Sequence, residues 1–240
     1  MFRNLIWKEA QENLWKLGFC LGVSLAFAVM LFRIRIIPDV SVCILISWAQ
    51  MFVVPVVYAL DIFSGEMSNR TVHLLFKMPT QRWKIFLSKY LLVMLEIGLI
   101  FLLTGAAMEI LAHGREADAG ILLKTNILFG LCAQLLFAWF CVFGCQSRSE
   151  AGSLAAMFGV MIGWGIVLFW AVMCEVPWAA HCVPYSFTSW AVDTPDLILI
   201  MQVSSERLIH PGQLLCSQIT MLIIAFAVAC YRFVKVRRYL

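Results

Sequence analysis

Charge is scarce in this 240-residue chain. Asp, Glu, Lys and Arg make up 13% of it, against 62% hydrophobic residues and a mean hydropathy of +0.90. A soluble domain of this length needs more polar surface, so the composition excludes one and fits a membrane protein. The dipeptide Gly-Lys is missing altogether: none of the 14 Gly is followed by Lys. A P-loop needs that Lys, beside backbone amides, to cradle phosphates, so the chain carries no nucleotide site of that kind. There is no CxxC, no HExxH and no dense His/Cys cluster. No metal or haem site is therefore expected, and the 12 Met are read as gap-fillers. Most of the nine Cys lie in apolar runs, where they act as small apolar side chains. Cys141 and Cys145 share a helix face, and Cys174 and Cys182 could pair, but a disulfide framework is not expected.

What the chain has is apolar length. A helix needs about 20 mostly apolar residues to cross a bilayer. Six runs qualify, at 14–32, 40–63, 85–111, 121–145, 152–174 and 213–234. They predict an all-α integral membrane protein, with 1–240 forming one transmembrane domain and no room for a separate nucleotide-binding domain. With the N-terminus cytoplasmic, the inner segments hold Arg3, Lys8, Lys16, Arg70, Lys77, Arg82, Lys84, Lys89, Arg148, Arg232, Lys235, Arg237 and Arg238. The outer ones hold Arg33, Arg35, Arg115, Lys124 and Arg207. A split of 13 to 5 among 18 basic residues predicts both termini inside, in a cytoplasmic (inner) membrane. The net charge of +4 follows from that bias and does not suggest nucleic acid.

In residues 2–17, Phe2, Leu5, Ile6, Ala10, Leu14 and Leu17 follow helical spacing, with Arg3, Lys8, Gln11, Glu12 and Lys16 largely opposite. Glu12 and Lys16 make a favourable i,i+4 pair. Together with Trp7 and Trp15 the pattern predicts an amphipathic helix on the membrane surface; the other reading is a plain extension of the first span. AFA at 26–28 has the shape of a signal-cleavage site, but the apolar run continues past it and Glu9 and Glu12 do not suit an n-region. Cleavage is not expected.

On the outer side, Arg33 and Arg35 are expected to snorkel to headgroups. HGREADAG at 113–120 and, on the inner side, QSRSEAG at 146–152 are short turns. Residues 175–212 carry Pro177, Pro184, Pro195 and Pro211, which disfavour one continuous helix. Short helices that dip into the outer leaflet or cap the outer face are expected there. Gly18 with Gly22 and Gly159 with Gly163 form GxxxG patterns, open to packing within the chain or to self-association.

FSGEMSNRTVHLLFKMPTQRWK, residues 63–84, is too polar to cross and too short to fold alone. Val72, Leu75, Phe76 and Met78 fit one face of a short helix, with Arg70, His73 and Lys77 opposite or beside it. Pro79 stops that helix, and Thr80 can cap the next. The segment is an ordinary basic inner loop or a docking element that shows an apolar knob to a cytoplasmic partner.

The order Glu66, Thr71, Leu74-Leu75, Pro79, Arg82, Lys89 resembles the cytoplasmic loop of the ABC-2 type permease family, the membrane subunits of ABC exporters. The opening IWKEAQENLWK resembles the family's amphipathic N-terminal helix. Six spans, inner termini and a long last outer segment agree with it along nearly the whole chain. Arg70 stands where the family often has Gly, and Ser68 where a second acidic residue is common. The resemblance implies that 63–84 is a coupling helix, with Glu66, Thr71, Leu74, Leu75, Phe76, Pro79 and Arg82 as ATPase-coupling residues. It implies a separate P-loop ATPase subunit that binds the ATP, a second permease copy or homologous permease, and no cofactor in this chain.

Glu96 lies within LLVMLEIGLIFLL, at a cost of roughly 2.5–3.5 kcal/mol for a carboxylate at mid-span. It is expected to face the bundle interior, on a translocation path or as a hydrogen-bonding group between helices. Asp61 and Glu109, near span ends, are expected at the interface. His113, His181 and His210 fall on the outer side and His73 in the inner loop. Two other classes compete with a permease. An intramembrane enzyme needs a nucleophile or metal ligands converging within the spans, and Ser24, Ser47 and Ser153 have no His beside them in sequence. A non-transporting membrane anchor or assembly subunit is distinguished only by independence from an ATPase.

Overall fold

The computed structural model describes residues 2–34, 38–60, 82–113, 120–144, 150–174, 176–186 and 211–235. Among these the regular structure is helical: α1 (Phe2–Ile34), α2 (Asp39–Ala59), α3 (Arg82–Leu111), α4 (Ile121–Gly144), α5 (Glu150–Met173), α6 (Pro177–Cys182) and α7 (Pro211–Lys235). Every helix except α6 is long and apolar enough to cross a membrane. The chain is an all-α membrane protein with six such helices.

The helices surround α4. Of its apolar window 67% is buried, against 17% for α5. α2 and α3 pack on α4 most extensively, α1 leans on α3 and α2, and α7 closes the opposite side against α4, α3 and α6. Close approach of α3 and α4 depends on glycine. A Cβ at Gly130 would lie 2.9 Å from the Phe101 Cβ, and one at Gly105 would lie 3.1 Å from the Asn126 Cβ. Small residues let helix backbones come near enough for dispersion to replace the hydrophobic drive that lipid removes. The glycines of the two GxxxG patterns behave otherwise: a Cβ at Gly18, Gly22, Gly159 or Gly163 would meet nothing within 4 Å among the described residues.

Both ends of α4 are closed by side chains from other helices. At its start Gly120 holds φ +86, a backbone conformation that other residues resist. The Glu109 carboxylate accepts from the Gly120 amide at 2.6 Å and the Leu123 amide at 3.3 Å, answering two of the unpaired donors there. At its end the Arg232 guanidinium donates to the Val142 carbonyl at 2.8 Å and lies over the Phe143 ring. Aromatic rings join α3, α4 and α7 nearby, where Tyr90 meets Phe137 and Phe226, and Phe86 meets Phe226 and Phe233.

α1 follows the second of the two readings open to residues 2–17, the extension of the first span. Residues 2–17 do not end in a turn; they continue into the first span as one helix of 33 residues. Of the polar side chains expected on its outer flank, Lys8, Gln11 and Glu12 are exposed and Lys16 is buried. Trp7, Trp15, Phe19 and Phe27 are exposed, while Glu9, Asn13 and Lys16 are buried against the bundle. A helix surrounded by lipid turns apolar side chains outward and keeps polar ones where protein partners can answer them. On the exposed flank Glu12 pairs with Lys8 at 3.4 Å.

These contrasting glycines make a prediction. Gly130→Ala should destabilise the purified chain by about 1–3 kcal/mol through overpacking. Gly163→Ala, facing open space, should stay within about 0.5 kcal/mol of wild type. Thermal unfolding in mild detergent measures both, and an equal loss in the two variants would contradict the close α3–α4 contact.

Candidate functional site

The most polar part of the interior lies where α1, α2 and α3 converge, near the end of the bundle from which α3 begins. Glu9 and Lys89 form an ion pair, with Nζ to Oε2 at 2.7 Å and both side chains 5% exposed. Two turns further along α1, the Lys16 ammonium donates to Asn13 Oδ1 at 2.7 Å. Two turns along α3 from Lys89 sits Glu96, also buried, beside Tyr58 of α2 and within electrostatic reach of Lys16 and Glu9. The Glu9 Oε1 and Glu96 Oε2 have no hydrogen-bond partner among the described residues, and the Tyr58 hydroxyl is set beside the Glu96 carboxyl group. The group thus gathers two amine and two carboxyl side chains, one Glu–Lys pair of them in direct contact, with spare acceptor capacity. Buried charges survive only when paired in this way.

A second polar layer ties α2, α3 and α4 farther along. Ser47 Oγ donates to Asn126 Oδ1 at 2.7 Å, and the Asn126 amide donates to the Phe101 carbonyl. Gln50 donates to Thr104 Oγ1 at 3.0 Å, and Gln134 to the Met94 carbonyl at 2.8 Å. These bonds join helices to one another and set no nucleophile against a base. Ser47 is committed to an amide, and Ser153 Oγ is buried with no partner among the described residues. No group of three or more His, Cys, Asp or Glu suited to a metal ion occurs among the described residues.

The far end is closed by the segment after α5. Short helix α6 is tied to α7 through Gln218 Nε2, which donates to the carbonyls of His181 and Val183, both at 2.7 Å. The Tyr185 hydroxyl donates to the Met161 carbonyl at 3.1 Å, and burial raises its pKa above the ordinary value. Burial likewise raises the Cys182 thiol. Cys174, exposed, and Cys182, half-buried, are free thiols. His113 is exposed at this end and His181 is buried.

Of the residues singled out from sequence, Glu66, Thr71, Leu74, Leu75, Phe76 and Pro79 lie outside the described residues, as do Asp61, His73, His210 and Cys145. Arg82 opens α3, half-buried, two turns before Lys89. Glu96 faces the interior. Glu9, Lys16 and Lys89 were not foreseen as members of a buried group. A legible signal existed: an acid and a base seven residues apart in one helix, and a base and an acid seven apart in the other.

With this geometry established, comparison with known proteins gives one clear result. The model of the ABC-2 family transporter proteins matches residues 4–231. The chain therefore belongs to that family, as a membrane component of a transporter rather than an enzyme. No curated protein matches it.

The Glu9–Lys89 pair yields a stability prediction. Lys89→Met strands a buried carboxylate and should cost about 3–5 kcal/mol. The double variant Glu9→Leu, Lys89→Met should regain most of that loss, since no charge is left unpaired. Thermal unfolding of the four members of the cycle measures the coupling, and simple additivity would contradict the pairing.

Proposed function

From membership of the ABC-2 transporter family, we propose that this chain is the permease subunit of an ATP-driven exporter in the cytoplasmic membrane. A separate P-loop ATPase subunit seats on residues 63–84, with Glu66, Thr71, Leu74, Leu75, Phe76, Pro79 and Arg82 at the joint. ATP is hydrolysed in that partner, and the movement reaches the spans through α3. The observation that carries this reading is the family match across nearly the whole chain, six spans included. The lack of any Gly-Lys supports an ATPase on another chain. The excess of Lys and Arg in the inner segments supports cytoplasmic termini.

A second permease, identical or homologous, completes the path. Supporting this are the small-residue faces at Gly18/Gly22 and Gly159/Gly163, which the described residues leave open. Glu96 either lines the translocation path or joins helices, and its buried position beside Tyr58 is compatible with both.

A charge in the apolar knob tests the joint. Leu75→Asp should leave membrane insertion intact while the ATPase subunit no longer co-purifies in mild detergent. Retention of the ATPase at the wild-type level would refute the docking role of 63–84.

A further inference from the structure

α1 and α3 meet along a seam with one constant offset. Each buried residue of α1 from Glu9 to Phe32 has a buried counterpart 80 places later, from Lys89 to Ala112. The first correspondence is a direct ion pair at 2.7 Å. Near the other end Ala28 and Phe32 share a small core with Met108 and Ala112. The two helices therefore run parallel, in register.

On this seam the charges alternate in opposite senses. α1 presents an acid, Glu9, and seven residues later a base, Lys16. α3 presents a base, Lys89, and seven later an acid, Glu96. All four are buried. Glu9 bonds Lys89, and Lys16 lies within electrostatic reach of Glu96 while bonding Asn13. Sliding α1 two turns one way would bring Glu9 level with Glu96. Two turns the other way would bring Lys16 level with Lys89. A slide of one turn would set charges against Val93 or Ile100, which offer no partner. Every displaced register thus meets a like charge or an apolar wall, and buried unpaired charge is among the most costly arrangements in a protein.

We propose that the Glu9–Lys89 ion pair, with Lys16 and Glu96 buried two turns further along the same seam, forms a charge lock that fixes the axial register of α1 on α3. The N-terminal half of α1 is then carried as one body with the helix that follows the 63–84 segment. The lock is a property of this chain; its use in transport, passing a push on that segment into α1, rests on the permease reading above. These four are positioning residues.

Disulfide trapping reads the register directly. Native Cys20 corresponds to Ile100 on the seam, so a chain whose other cysteines are replaced, carrying Ile100→Cys, should cross-link on oxidation in membranes. The same chain with Val93→Cys instead should not. Reversing α1 alone, with Glu9→Lys and Lys16→Glu, should abolish the Cys20 to position 100 cross-link. Adding Lys89→Glu and Glu96→Lys should restore it. A cross-link that survives reversal of α1 alone would overturn the lock, and so would a fourfold variant that fails to insert or to cross-link. In membranes holding the wild-type ATPase complex, trapping with ATP and orthovanadate should leave the cross-link in place. Its loss would overturn movement as one body. Absence of any ATPase from the wild-type complex would instead contradict the permease reading, and the reversal series would still judge the lock.

Discussion

A charge shut away from water must be answered by another, and this single constraint organises the structure around the buried Glu9–Lys89 bond. Two side chains from helices 80 positions apart in sequence lie 2.7 Å from each other, sealed from solvent. Each is tolerable there only because of the other. Their pairing draws the N-terminal turns of α1, whose outward face mixes Trp7, Leu14 and Trp15 with Lys8, Gln11 and Glu12, into the bundle. It also places Lys16 near Glu96 and Tyr58. The polar residues of this protein are few, and their scarcity gives each one a strong positional say.

The same logic recurs at lower stakes along α4. Glu109 answers the amides at its start, Arg232 answers a carbonyl at its end, and Asn126 joins it to α2 and α3 in between. Glycine at 130 and 105 brings α3 close enough for these bonds to form. The result is an interior of α2, α3 and α4 held by hydrogen bonds and close packing, with α1 attached by charge and α5 and α7 largely facing outward. A transporter needs parts that stay rigid and parts that shift. The α1–α3 pair reads as one rigid part, and α5 is the least buried of the six long helices.

Much of this was legible in the sequence, for a local reason. Span length and count depend on runs of apolar residues, and the six expected runs became six helices, all but the first, which begins at Phe2 and not near residue 14, with nearly the expected limits. What stayed hidden is what periodicity cannot encode. The pattern around Trp7, Glu9, Leu14 and Lys16 shows that α1 has a polar and an apolar side, but not which side meets protein. A helix lying on a membrane and one lining a bundle share that pattern. Lys16 was accordingly expected on the outer polar flank and is found inside. GxxxG drew attention to Gly18 and Gly159, whereas close packing falls on Gly98, Gly105 and Gly130, whose significance depends on Gln134, Asn126 and Phe101 lying opposite. Glu109 sits near a span end as expected, yet its cap on α4 requires knowing where Gly120 turns. Of the loop residues thought to receive the ATPase, only Arg82 falls among those described.

Permease function requires that this membrane chain work with a separate ATPase. Native mass spectrometry of the assembly, extracted from its own membranes in mild detergent, addresses that directly. The account predicts a complex containing two permease chains, at least one of them this 27.2 kDa chain, with two P-loop ATPase subunits. A particle containing only this chain, under conditions that keep a known transporter of this family intact, would contradict it.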